Sequence, residues 1–277
     1  MKKAIKNISK LAFKQSFPGL NGVDIMASNY PIEPFLVFTE FYMERPVFGP
    51  HPHAGVSVMT YMLPDSKQGF INRDSLGDFS YIEPGGIHIS QAGMGMFHDE
   101  FPKHTGIETH GFQIWINHKL EDRYVAPASM HANADEIIES VTTDYRLRIV
   151  HGEFNGKHSP YKLMTNVNLY HIFLYPNKTI EFEAQEMAFV YGLKGNGMIE
   201  DREVAEQTLV NFGINGNKVS VNAHSNGFEF MYATGQPINE PIVYGGPFVM
   251  TTKEQMSETQ KRLATGKMGK LEPYIRA

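Results

Sequence analysis

Runs of five to eight residues rich in Val, Ile, Phe, Tyr and Thr recur along the chain, separated by short clusters of Gly, Pro, Asn and Asp. Bounded runs of this length predict β-strands. They fall at Phe35 to Tyr42, Val56 to Leu63, Phe79 to Ile82, His110 to Asn117, Leu147 to Glu153, Asn168 to Tyr175, Met187 to Leu193, Thr208 to Phe212 and Gly227 to Ala233. Val56 to Leu63 carries apolar groups on both faces, so it is expected to be covered on both sides, inside a barrel or sandwich. Helical signals are few. Thr251 followed by Glu254 reads as a capping box, Met256 and Leu263 share a face, and Gly266 is a stop, predicting a helix over Thr252 to Ala264. The polar, weakly periodic stretch from Leu120 to Asp144 reads as a linker between two β-rich halves, 1–135 and 136–277. The expected fold is all-β, two barrels with a short C-terminal helix.

Composition narrows the chemistry. Among 277 residues there are 12 His and no Cys, which excludes Cys-ligated zinc, iron–sulfur clusters, thiol nucleophiles and a disulfide framework. Any metal must be held by His and carboxylates. With 25 Lys and Arg against 30 Asp and Glu, the formal charge is −5, and basic residues are scattered. A direct nucleic-acid partner is therefore not expected. No apolar run is long enough to span a bilayer. Met1 to Leu20 holds five lysines and no apolar leader core, so it reads as a solvated opening strand of a cytoplasmic protein. The two barrels can cover each other, so a monomer is expected.

Candidate chemistry begins at His51-Pro52-His53. Residues two apart in extended backbone project to the same side, and the intervening Pro keeps the backbone extended, so two imidazoles point together. Twelve His in this length give about half of one such pair by chance, so the pair alone decides little. His98 and Glu100 form a second i, i+2 pair, flanked by small residues in Gln91-Ala92-Gly93-Met94-Gly95-Met96-Phe97. Were the two strands to meet, three imidazoles and a carboxylate would suit a divalent first-row metal with open positions for substrate or O₂. The alternative is a set of hydrogen-bonded polar residues at a barrel mouth. Asp74-Ser75-Leu76-Gly77-Asp78 and Pro84-Gly85-Gly86 read as hairpin loops of a meander that would bring the two pairs together.

The sequence resembles the pirins of the cupin superfamily. The matching text is Glu33-Pro34-Phe35-Leu36, Phe48-Gly49-Pro50-His51-Pro52-His53-Ala54-Gly55, Thr60-Tyr61, Asn72-Arg73-Asp74-Ser75-Leu76-Gly77, Pro84-Gly85-Gly86, Gln91-Ala92-Gly93-Met94-Gly95 and His98-Asp99-Glu100. It continues in His110-Gly111-Phe112-Gln113-Ile114-Trp115-Ile116-Asn117, Gly152-Glu153-Phe154, Glu240-Pro241-Ile242-Val243 and Gly246-Pro247-Phe248-Val249-Met250, and so runs from about Glu33 to the final helix. The resemblance implies a bicupin: an N-terminal cupin domain, 1–135, that holds a metal, and a C-terminal cupin-like domain, 136–277, without one. It implies His51, His53, His98 and Glu100 as ligands, with iron, as Fe(2+), the expected metal and Mn, Ni, Co and Cu as alternatives. Two departures stand out. The family often has Arg and Glu where this chain has Ala54 and Ser57, and Met94-Gly95-Met96-Phe97 is more apolar than usual, so the surroundings of the site are expected to differ while the ligand set is intact.

The resemblance further implies a quercetin 2,3-dioxygenase-like enzyme acting on a flavonol-type small aromatic substrate and O₂. In that reading Glu100 is the catalytic base as well as a ligand. The alternative is a metal-binding, redox-responsive regulatory protein of the transcription co-regulator type, without turnover. His88 is expected to be structural rather than a donor to the site, and His104, His110, His118, His131, His151, His158, His171 and His224 have no ligand spacing. Trp115 is expected to pack in the core. Gly192 to Gly197 is Gly-rich but lacks the P-loop pattern and reads as a β-turn, and no G-x-S-x-G elbow is present.

Overall fold

The computed structural model describes residues 1–274. The chain divides into two compact units that are not contiguous in sequence. One comprises Phe13–Ile25, Phe35–Asp135 and the chain from Ile238 onward. The other comprises Met1–Ala12, Met26–Pro34 and Glu136–Pro237. This differs from a simple division at 135/136 in the outer segments: the C-terminal helix lies in the unit that contains His51 and His98. The reason is local pairing. Ala54 bridges Phe248, Val249 N–H donates to Ala54 O at 3.0 Å, and Met256 and Met268 pack in one apolar cluster with Ala54, Phe248 and Met250.

In that unit a seven-stranded antiparallel sheet runs in the order Ala128–Ala132, Ile87–Gln91, Val56–Met62, Thr109–Asn117, Phe35–Met43, Leu20–Met26, Lys14–Phe17. A four-stranded sheet runs His51–His53, Met96–Pro102, Phe70–Asp74, Phe79–Ile82. All seven residues of Val56–Met62 are buried, as a strand covered on both faces requires. The Asp74 to Asp78 loop is a hairpin between paired strands, with Asp74 Oδ1 accepting from the Leu76 and Asp78 amides at 2.8 and 3.0 Å. The Pro84-Gly85-Gly86 loop is not: Phe79–Ile82 belongs to the small sheet and Ile87–Gln91 to the large one, so this turn carries the chain from one sheet to the other. The stretch 120–144 is not a plain linker either. It holds a short 3₁₀ turn at Leu120–Asp122, the strand Ala128–Ala132 paired with Ile87–Gln91, and the strand Glu139–Val141. Both strands end their sheets, and an edge strand tolerates the polar residues that weaken its sequence signal.

The helix spans Lys253–Ala264. Its capping box uses Thr252 and Gln255, one position later than the Thr251–Glu254 spacing suggests, with Gln255 N–H donating to Thr252 Oγ1 at 3.1 Å. Thr251 is buried and accepts from Arg123 Nε at 3.2 Å, which leaves Thr252 to cap.

The second unit is built on a nine-stranded antiparallel sheet whose central strands, Met187–Ile199 and Lys218–Gly235, are long and bulged. Gly192 to Gly197 lies inside the first of these, rather than in a turn between strands. A Cβ at Gly192 would sit 2.2 Å from Ala205 O, and one at Gly197 2.2 Å from Asn222 O, so close backbone approach demands glycine there. Tyr170, Phe182, Phe230 and Tyr232 fill the core, with the Phe182 and Tyr232 rings stacked at 4.3 Å. Among the described residues no helix is long and apolar enough to cross a membrane.

Candidate metal centre

His51 and His53 lie on one short strand, and the antiparallel register sets His98 opposite His51 and Met96 opposite His53. Three imidazoles converge as a result. Their ring centroids are 4.6 Å (His51 to His98), 4.8 Å (His53 to His98) and 5.0 Å (His51 to His53) apart, and one ring nitrogen of each lies within 4.8 Å of the others. The outer nitrogens are held. His51 Nδ1 is 2.9 Å from Gly49 O, His53 Nδ1 is 3.2 Å from Pro247 O, and His98 Nδ1 is 3.4 Å from Ser90 Oγ. A carbonyl only accepts, so the Nδ1 atoms of His51 and His53 carry the protons and their Nε2 lone pairs face inward.

Electrostatics reinforce this. Burial, then the neighbouring His51, pull His53 down to about 3 against a smaller opposing pull from the Pro247 carbonyl. Burial and the surrounding imidazoles hold His98 well below the usual histidine range. His98 Nε2 stands 3.1 Å from His51 Nε2. With the inner lone pair of His51 fixed, that approach calls for a positive centre or a proton between the two nitrogens. Imidazoles whose inner nitrogens face one another and whose outer nitrogens are anchored are the donor set a divalent transition metal requires, so the residues present fit such an ion.

Glu100 is placed differently. It lies on the same strand as His98, two residues on and buried, but its carboxylate is not among the atoms gathered by the three imidazoles. Both of its oxygens lie 2.8 Å from Thr60 Oγ1, which in turn accepts from Gln113 Nε2 at 3.1 Å. Burial pushes its carboxyl up to about 7, with the Thr60 hydroxyl working against that rise and Asp99 adding to it.

Residues distant in sequence complete the surroundings of the centre, and one of them, Arg123, had no sequence signal. Pro247 reaches His53 from 194 positions away. Arg123, fully buried, donates to Gly55 O at 2.5 Å, Val249 O at 3.0 Å and Thr251 Oγ1 at 3.2 Å, tying the segment after His53 to the strand after Pro247. Trp115 is half-buried, and its ring meets His53 edge-on at 4.9 Å instead of packing wholly in the core. Ser57 is bonded to the buried His118 at 2.8 Å. His88 is buried beside Asp74 and Asp78, forming a second cluster of ligand-type atoms. Here, however, the Asp74 oxygens already accept from two backbone amides and from Ser129, and Asp78 accepts from Asn72 and Ser80.

Family models match in both halves: one described as Pirin over residues 25–116 and one described as Pirin C-terminal cupin domain over 169–269. A pirin-like protein of Arabidopsis thaliana is 34% identical over 242 residues, covering 82% of this chain and 77% of its own length. The crystal structure of quercetin 2,3-dioxygenase from Acinetobacter baumannii superposes with a TM-score of 0.87 at 22% identity, covering 98% of this chain and 100% of that one. A bacterial pirin from Escherichia coli, solved in complex with nickel(II), gives a TM-score of 0.67 at 19% identity over 83% of this chain and 99% of its own. With both cupin domains matched and a relative of this identity spanning most of the sequence, the chain belongs to the pirin family of the cupin superfamily.

Proposed function

We propose that this protein is a metal-dependent dioxygenase that cleaves a flavonol-type small aromatic substrate with O₂, the activity by which its Acinetobacter baumannii neighbour is named. The observation that carries the reading is the convergence of three imidazoles whose outer nitrogens are anchored and whose inner nitrogens face one another. His51, His53 and His98 would hold the ion, with Glu100 the fourth donor and Fe(2+) the proposed metal. A bound divalent metal lowers the pKa of a phenolic or enolic hydroxyl placed against it and brings substrate and O₂ into one pocket.

The remaining work falls to the chain. Glu100 is the proposed base, taking the substrate hydroxyl proton at a carboxylate oxygen. Thr60, itself held by Gln113, positions that carboxylate through its hydroxyl. The Gly49 and Pro247 carbonyls orient His51 and His53, and Trp115 walls the His53 side.

The test is oxygen uptake with quercetin by protein stripped of metal and reloaded with ferrous iron, beside Glu100→Gln with its metal content measured. Turnover in the reloaded protein that disappears in the variant supports the reading. If the variant keeps its metal, Glu100 acts as the base; if it loses it, as a ligand. Full metal and undiminished turnover in Glu100→Gln would remove Glu100 from the mechanism. One bound iron per chain with no oxygen uptake would refute flavonol cleavage.

A further inference from the structure

The metal side of the seven-stranded sheet is open at its middle. Thr109–Asn117 is the fourth strand in the sheet order, yet its burial alternates: Phe112 and Ile114 are 0% exposed, whereas Gln113 and Trp115 are partly exposed. The neighbouring strand Phe35–Met43 repeats this, with Val37 and Thr39 partly exposed beside the buried Leu36 and Phe38. The four partly exposed residues share one face, because Gln113 stands opposite Thr39 and Trp115 opposite Val37. That face belongs to the metal centre: the Trp115 ring meets His53, and Gln113 bonds Thr60, the partner of Glu100. A central strand stays accessible on one face only where nothing packs on it, so this face is where substrate has room.

Two rows of side chains cross the strands here. One is polar. Thr60 Oγ1 donates to the Glu100 carboxylate at 2.8 Å, Gln113 Nε2 donates to Thr60 Oγ1 at 3.1 Å, Thr39 stands opposite Gln113, and Thr39 Oγ1 donates to Asp24 Oδ1 at 2.8 Å. The row ends at Asp24, an exposed carboxylate on the next strand, Leu20–Met26. The row beside it is apolar, with Trp115 opposite both Val58 and Val37. From Thr60 to Asp24 is three strand spacings, about 14 Å.

We propose that the substrate of the metal centre lies across these strands, its rings against Trp115 and Val37 and its polar edge along Gln113, and that Asp24, positioned by Thr39, accepts a phenolic hydroxyl at the end remote from the metal. This rests on the dioxygenase reading above and narrows it. The span calls for an extended planar polyphenol of flavonol length with a hydroxyl on its remote ring, and a single-ring catechol cannot touch both ends. A carboxylate has acceptor sites for more than one donor, so the Thr39 bond orients Asp24 without saturating it.

The test is a fluorescence titration reading Trp115, the single tryptophan of the chain, with quercetin and with 3-hydroxyflavone, whose only hydroxyl is the one beside its carbonyl. Protein stripped of metal and protein reloaded with ferrous iron under nitrogen are both used, so binding is read without turnover. Saturable quenching by quercetin is expected in both forms, about tenfold tighter than by 3-hydroxyflavone. Asp24→Ala should bring the ratio of the two affinities to about one, and Thr39→Val should lower it about threefold. Asp24 is exposed, and an unchanged circular dichroism spectrum verifies that the variants fold. A ratio as large in Asp24→Ala as in the parent, or no saturable quenching by quercetin below about 1 mM in either form, would overturn the subsite. Catechol binding as tight as quercetin would overturn the span. Oxygen uptake separates the two proposals: quercetin turnover with an affinity ratio indifferent to Asp24 removes the subsite and leaves the dioxygenase, whereas the expected binding pattern without turnover leaves the subsite and refutes flavonol cleavage.

Discussion

His110 links the stability of the unit that contains the candidate metal centre to alkaline pH. Burial disfavours its charged form, but hydrogen bonds to Asp65 and Glu40, at 3.1 and 2.8 Å, more than offset that and raise it to about 9. The Tyr42 ring stacks on the imidazole at 4.1 Å, a further contact favouring the cation. A group that ordinarily titrates near 6.5 and does so near 9 when folded binds its proton more tightly in the native state. Its stabilisation is therefore fully present below about pH 6.5 and is lost as pH rises through about 9. The full difference corresponds to about 3 kcal/mol. Because the Asp65 side chain is 69% exposed and solvent screens its share, about 2 kcal/mol is the expected effect. With a urea dependence of about 3 kcal/mol per molar, the midpoint of this unit falls by about 0.7 M between pH 6 and pH 10. The assay is urea unfolding followed by the fluorescence of Trp115, in the parent and in His110→Gln, each at both pH values. The difference between the two proteins in their pH response isolates the residue. If His110→Gln loses as much stability over this range as the parent, or if the His110 ring titrates below 7 by NMR, the reasoning fails.

Two further outcomes are expected. His98→Ala removes one of three converging donors, so metal bound after reloading should fall from one per chain to below about a tenth by elemental analysis, with unchanged circular dichroism. Retention of stoichiometric metal would count against the three-imidazole site. Arg123→Met strands the carbonyls of Gly55 and Val249 and the Thr251 hydroxyl in a buried setting, and should cost about 3–5 kcal/mol in urea unfolding. A loss under about 1 kcal/mol would show that the buried guanidinium does not hold these segments together.

Strand positions were legible at Phe35–Met43, Val56–Met62, Phe79–Ile82 and Thr208–Phe212, where apolar or aromatic runs are bounded by turn residues, and were not picked out at the interior strands Phe70–Asp74 and Ile87–Gln91. Legibility also failed at the polar edge strand Ala128–Ala132 and at a run of glycines. Ala128–Ala132 looked like linker because an edge strand need not be apolar. Gly192 to Gly197 looked like a turn because the crowding that demands glycine comes from Ala205 and Asn222, which no local window contains. The helix was placed to within a residue, and its box slipped by one because Thr251 is occupied by Arg123, a partner 128 positions away.

By itself the sequence determined what is local. Alternation in extended backbone sets His51 with His53, and His98 with Glu100, on common faces, and the absence of Cys restricts any metal to imidazole and carboxylate. Only the tertiary structure decided how these pairs are used. Antiparallel register, a non-local pairing, brings His98 against His51. The Gly49 and Pro247 carbonyls set which imidazole nitrogens face inward, and the Thr60 hydroxyl holds the Glu100 carboxylate. Hydrogen-bond partners are chosen by distance in space, and a periodicity of two along a strand carries no information about the residue that will stand across from it.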